Sequence, residues 1–444
     1  MIFLAYLFPI FFLLLALAAF HVEGARFVVG PSSVLILIWI AVLALHGSAI
    51  GLELVVLYPS TLAANMFVTV GVLAFSISFR VSKSLFGSRV ARARPLRQPG
   101  AVQSSKCVRL SRNANFMREG VILLYALVVF YLMYTQAQSI IGSSDVFGQL
   151  RLLRTRINYE EVEWGLVEYA ALSAVVAAVY LGAQSSGRSL RQSLLPAAVL
   201  AVAILIAAVS SQRTAVLMVI VGFFFARSAS GLPSIRVIAL SVAGFFGLFV
   251  LIGFLVGKVG SAESGASLVV QSGFQSFALY LLSPLSAFSS SEIWTSTIGE
   301  SQFTTRFFYR VFESIGLYDG RIQNLVLDFS FVPIATNVYT FAHAPISDFG
   351  YGYIAYFSIV GVIYGYAFSF RRESPFVRTI QGLLYYPIVM SVFQDQWMTI
   401  TSQWIQIIVS AWILHVLYNV GRRARRRRAS SSQPNRAHPN PAIP

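Results

Sequence analysis

The chain has 444 residues, 57% of them hydrophobic and only 11% charged, with a mean hydropathy of +0.71. A soluble domain carries about a quarter charged residues, so this composition excludes an ordinary soluble protein. The net charge of +16 does not mark a nucleic-acid binder, because the basic residues gather beside apolar runs, in a linker from Arg80 to Arg118 and in the tail Arg422-Arg423-Ala424-Arg425-Arg426-Arg427-Arg428.

The apolar runs are too long for core strands and do not alternate as barrel strands do. In lipid each must be a helix, which satisfies its own backbone polar groups. The expected fold is therefore all-α: a polytopic integral membrane protein with about eleven transmembrane helices and a large outer-face loop containing short helices. In chain order the spans are Ile2–Phe20, Val28–Ala49, Ser60–Phe79, Val121–Ile141, Gly165–Leu181, Leu194–Val209, Thr214–Ala226, Val237–Val256, Gly350–Phe370, Ile380–Phe393 and Ser402–Val420. The first lacks a basic leader and contains Pro9, so it reads as a retained span rather than a signal peptide. Residues 1–79 form a three-span segment, 80–119 a basic cytoplasmic linker of disordered character, 120–421 a transmembrane core, and 422–444 a disordered cytoplasmic tail.

Placing the basic linker inside puts the arginine tail inside as well, and leaves the loops 136–164 and 257–349 outside. The amino terminus is then outside and the carboxyl terminus inside. The single cysteine, Cys107, rules out an intramolecular disulfide. No Gly-rich phosphate loop, Ser-His-Asp signature or metal-ligand spacing of His and Cys occurs, so no metal or cofactor is expected. Few ionisable residues lie within the spans, Glu168 being the clearest, and no inverted repeat is evident; both observations weigh against an ion-coupled transporter.

Three outer-face places carry candidate chemistry. Arg213, in Ser210-Ser211-Gln212-Arg213-Thr214, is either an interfacial arginine or an anchor for a phosphate headgroup. Arg306 and Arg310 share a helix face four residues apart, with Glu313 close behind and Arg321 beyond; they read as a solvated face or as a pyrophosphate clamp. The segment Thr336-Asn337-Val338-Tyr339-Thr340-Phe341-Ala342-His343, followed by Ile346-Ser347-Asp348-Phe349-Gly350, is dense in groups suited to sugar hydroxyls and pyranose faces. Asn337, Tyr339 and Thr340 are candidate sugar ligands, and His343 and Asp348 candidate bases. Asp348 also reads as a cap on the ninth span.

Ser-x-Arg-Thr opening a span, a long outer loop with Tyr280 and Pro284, then Asn337-Val338-Tyr339-Thr340 and Asp348-Phe349-Gly350, together resemble the oligosaccharide repeat-unit polymerases, the O-antigen or Wzy-type family. The chain departs from that pattern in having Tyr353 where the family often has a further glycine, with Gly352 one position early. The resemblance implies polymerisation of undecaprenyl-pyrophosphate-linked oligosaccharide units on the outer face of the bacterial cytoplasmic membrane. It also implies work beside a flippase and a chain-length regulator in the same bilayer. A ligase of finished glycans, a flippase of lipid-linked sugars and a non-catalytic assembly partner are the alternative readings.

Overall fold

The computed structural model describes residues 2–21, 30–92, 105–159, 164–185, 193–210, 213–228, 247, 266–291, 293, 302–320, 322, 327–370 and 374–431. These are about 78% helical with almost no strand, as expected of an all-α membrane-embedded protein. Five helical segments are long and apolar enough to cross a membrane: Pro31–Gly51, Leu62–Gly87, Phe116–Ile141, Leu166–Gln184 and His343–Ser369. Shorter apolar helices cover Phe3–Ala19, Leu194–Val209 and Thr214–Arg227.

The first seven expected spans each have a helical counterpart: α1 (Ile2–His21), α2 (Pro31–Gly51), α3 (Leu62–Arg92), α4 (Ser105–Ile141), α6 (Leu166–Gln184), α7 (Leu194–Val209) and α8 (Arg213–Arg227). A short α5 (Leu150–Tyr159) lies in the connection before α6. The expected span Val237–Val256 falls outside the described residues apart from Gly247, and the total of eleven is therefore not established. The long segment that follows contributes α9 (Ala266–Ser290), the amphipathic α10 (Arg306–Ser314) and a two-residue hairpin ladder, Ser330–Phe331 on Ala335–Thr336. Next come α11 (His343–Phe349), a 3-10 turn at Gly350–Gly352 and α12 (Tyr353–Ser369).

The run Ile380–Phe393, expected as one span, is instead two short helices, α13 (Pro375–Leu383) and α14 (Tyr385–Met390). Pro387 has no N–H to offer the Leu383 carbonyl, so the helical ladder is interrupted there. The Tyr364 hydroxyl donates instead to the neighbouring Leu384 carbonyl, at 3.0 Å. A turn over 391–400 then leads into α15 (Thr401–Ser431). Arg118 of α4 donates to the Tyr418 carbonyl of α15 at 3.2 Å and lies 4.7 Å from that residue's ring centroid. The basic linker and the arginine tail therefore adjoin the same end of the bundle.

Within lipid, close helix approach depends on small residues rather than on apolar burial alone. In α12, Gly361-x-x-x-Gly365 presents bare backbone to α3: a Cβ at either glycine would collide with a carbonyl oxygen, that of Phe75 or of Phe79. Ser82 completes the seam by donating to the Val362 carbonyl at 2.8 Å. The same device recurs where Gly382 of α13 meets the Gly222 carbonyl of α8.

A buried polar relay ties α9 to the first helices. Ser286 uses its hydroxyl proton on the Tyr58 carbonyl, at 2.6 Å, so His46 Nε2 must donate to Ser286 Oγ, at 2.9 Å. His46 Nδ1 then accepts from Tyr6, at 2.9 Å, and the Tyr6 oxygen accepts from the Ser60 N–H at 3.0 Å. Each group in this chain is matched, as a buried network in an apolar bundle requires.

The α3–α12 seam yields a signed prediction. Gly361→Ala forces backbone apart and is expected to cost about 2 kcal/mol. Gly120→Ala on α4, where an added Cβ meets nothing within 4 Å, is expected to be neutral or to stabilise by up to about 1 kcal/mol through helix propensity. Thermal unfolding of the two purified variants in one detergent checks the contrast.

Candidate functional site

Beneath the segment 302–349 lies a cavity of about 240 Å³. Asn337, Tyr339, Thr340 and His343, singled out in the sequence as sugar ligands and a base, all line it. The turn after α14 supplies the facing wall through Gln394, Asp395, Gln396 and Thr399. Tyr339 and His343, four residues apart, bring their rings to 4.4 Å between centroids. The Tyr339 hydroxyl donates to the Asp328 carbonyl at 3.1 Å. Burial, and secondarily Asp328, raises the phenol's pKa, so Tyr339 keeps its proton at neutral pH.

The segment that lines the cavity is anchored by aromatic packing. Phe341 sits between Trp39 at 5.3 Å, Phe357 at 4.8 Å and Trp397 at 5.7 Å, all between ring centroids. Its N–H donates to the Ser391 carbonyl at 2.9 Å, locking the 337–343 segment against the 391–400 turn. Two polar atoms in this wall are buried without a partner: Thr340 Oγ1, on a residue 1% exposed, and His343 Nδ1, on one 8% exposed. Unmatched buried polar atoms beside a cavity are what a hydroxyl-bearing ligand would satisfy.

Asp395 also lines the cavity and is not among the candidates that the sequence patterns single out. Its carboxylate accepts from the Tyr356 hydroxyl at 2.8 Å and from the Trp397 N–H at 2.9 Å. Burial pushes its pKa up to about 6, against the opposing effect of these hydrogen bonds. The available signal was the polar triplet Gln394-Asp395-Gln396 set between apolar runs.

Asp348 has a different position. Its Oδ1 accepts from the Phe303 N–H at 3.0 Å, and its Oδ2 from the Thr304 N–H at 2.7 Å and from the Thr304 hydroxyl. It thus clamps the turn that opens α10 onto α11 rather than capping the ninth span, and it does not line the cavity. Arg306 and Arg310 do share one helix face, but neither lines this cavity or the larger one described below, and Arg310 is ion-paired with Glu313 at 2.9 Å. Burial, then the neighbouring Arg310, lowers the pKa of Arg306. Arg321 falls outside the described residues. Arg213 begins α8 and is flanked by Ser210 and Thr214, which line a second, larger cavity.

Among the described residues no cluster of His, Cys, Asp and Glu has metal-holding geometry. The arrangement offers instead hydroxyl, amide, imidazole and carboxylate groups around a small, partly open cavity.

The shift of Asp395 makes a stability prediction. Its folded pKa, about 6, lies above the ordinary 3.8, so the folded state holds the proton more tightly. The contribution is full below pH 3.8 and is lost as pH rises through about 6, a swing on the order of 3 kcal/mol. Asp395→Asn should flatten that slope between pH 4 and 6.5 and leave the protein at least as stable as wild type at pH 7.5, read by thermal unfolding across pH. No family model matches the chain, and no curated protein or solved structure is similar to it.

Proposed function

We propose that the protein is a glycosyltransferase that polymerises lipid-pyrophosphate-linked oligosaccharide units at the outer face of a bacterial cytoplasmic membrane. The observation that carries this reading is the gathering of Asn337, Tyr339, Thr340 and His343 around one cavity, with Thr340 Oγ1 and His343 Nδ1 buried and unmatched. The shared end of the bundle adjoined by both basic segments supports an inside placement for them.

In the proposed reaction a hydroxyl of one unit attacks the anomeric carbon of another. The new C–O bond forms as the bond to pyrophosphate breaks, and the pyrophosphate leaves with the electron pair. His343 Nδ1 takes the hydroxyl proton. Asp395, ionised above about pH 6, faces the positive charge that develops on the sugar in an oxocarbenium-like transition state. Tyr339, Asn337 and Thr340 orient the sugars. Asp348 acts as a positioning residue, through the 303–305 turn. Arg213, at the start of α8, supplies positive charge for the leaving group, with Arg306, Arg310 and Arg321, which the sequence also offers, acting at longer range from outside the cavity. The energy resides in the glycosyl-pyrophosphate bond, so no nucleotide is required outside.

Deleting the gene and resolving the surface polysaccharide on a gel tests this. Loss of the long-chain ladder with single units still at the surface is the expected result. Wild type should restore the ladder, and His343→Gln and Asp395→Asn, expressed at normal level, should not. Absence of any units at the outer face would point to transport instead, and an unchanged ladder would defeat the assignment.

A further inference from the structure

A second cavity of about 400 Å³ opens among α4, α6, α7, α8, α14 and α15, a volume within the range of roughly 300–1,000 Å³ typical of small-ligand sites. One wall is apolar, with Met133, Leu172 and Met218. The other carries four primary amides, Gln394, Gln396, Gln403 and Gln406. Carboxamides in an apolar bundle are costly unless matched, and each presents both donors and an acceptor. Two are held in place by neighbours: Tyr386 donates to Gln396 Oε1 at 3.2 Å, and Gln406 Nε2 donates to the Tyr169 carbonyl at 2.6 Å.

An independent observation points to a ligand. Trp164 lines the same cavity, is 3% exposed, and has its indole Nε1 buried with no acceptor. An indole offers a donor and a flat apolar face, the pairing that suits a sugar ring with hydroxyls at its edge and C–H groups on its face. Among the described lining residues the one charged group is Glu168, so this wall is not built for an anion. The two cavities share Gln394, Gln396 and Ile400, so occupants of the two would meet across the glutamines.

We propose that this larger cavity is a second saccharide site, which takes an uncharged sugar segment of the substrate and presents it to the smaller cavity. The proposal rests on the glycan-transfer reading. Amides on one side bind hydroxyls, Trp164 donates to a ring or hydroxyl oxygen, and the apolar wall covers the remaining sugar face. Because the segment carries no pyrophosphate, binding here does not depend on arginine.

The test uses full-length protein in lipid nanodiscs and, as probe, the host's repeat-unit oligosaccharide freed from its lipid pyrophosphate by mild acid. Calorimetry should detect binding to wild type. Gln403→Leu, at a half-buried position, and Trp164→Phe, which replaces the indole and its donor by a smaller ring, should each weaken it about tenfold. Gly120→Ala on α4, where an added Cβ meets nothing within 4 Å and which lines neither cavity, should leave it within about twofold. Binding that ignores Gln403 and Trp164 would overturn the proposal, as would no binding at all. If the oligosaccharide fails to bind while gene deletion still abolishes the ladder, this site falls and the polymerase reading stands. If binding depends on Gln403 and Trp164 while the ladder is unaffected by deletion, the site stands and that reading falls.

Discussion

Where α12 crosses α3, Gly361 and Gly365 leave no side chain between the backbones, and the Phe75 and Phe79 carbonyls occupy the space. In a bilayer, where apolar burial does little to drive helices together, this intimacy is what fixes α12 in rotation and depth. The consequences run up the helix. Phe357 and Tyr364, on the same element, make the ring contact with Phe341 and the hydrogen bond to Leu384. Trp397 donates to the Tyr364 hydroxyl at 2.8 Å, and its own N–H meets Asp395. A carboxylate in the turn is thus held by a chain of contacts that begins at two glycines.

A second restraint comes from the opposite side. The relay through Tyr6, His46 and Ser286 pins α9 to α1 and α2, and Ser289 accepts from the Thr61 N–H at 2.8 Å. Trp39 of α2 donates to the Ser391 hydroxyl at 3.1 Å, carrying the same framework to the 391–400 turn. The smaller cavity is therefore bounded by two loops that are each tied to transmembrane helices. Loops so tethered can hold polar groups unmatched until a ligand arrives, a strain tolerated at functional sites.

Much of this was legible in the residues. Long uncharged runs named the helices, and the Asn337-to-His343 segment named four side chains that the fold brings to one cavity. Periodicity carried no information about the break before α14, because hydropathy counts Pro387 among apolar neighbours while the backbone loses a donor there. Asp348 looked like a base or a local cap, and its actual partners lie at Phe303 and Thr304, a long-range contact no spacing rule reaches. Asp395 was hidden for the same reason: its significance comes from Tyr356 and from the cavity it faces, both set by tertiary packing. The glutamines were equally inconspicuous, since a polar residue at a span's edge reads as interfacial until a cavity is seen beside it.

The central proposal is that His343 and Asp395, which line one small cavity, drive glycosyl transfer there. Its most direct measurement is release of polyprenyl pyrophosphate by purified protein in liposomes supplied with the lipid-linked oligosaccharide. Wild type should release one lipid pyrophosphate for each glycosidic bond formed. The folded double variant His343→Gln, Asp395→Asn should release at least about a thousandfold less, as expected when a proton acceptor and a preorganised charge are both removed. Release by the double variant at the wild-type rate, or glycan growth without release, would contradict the claim.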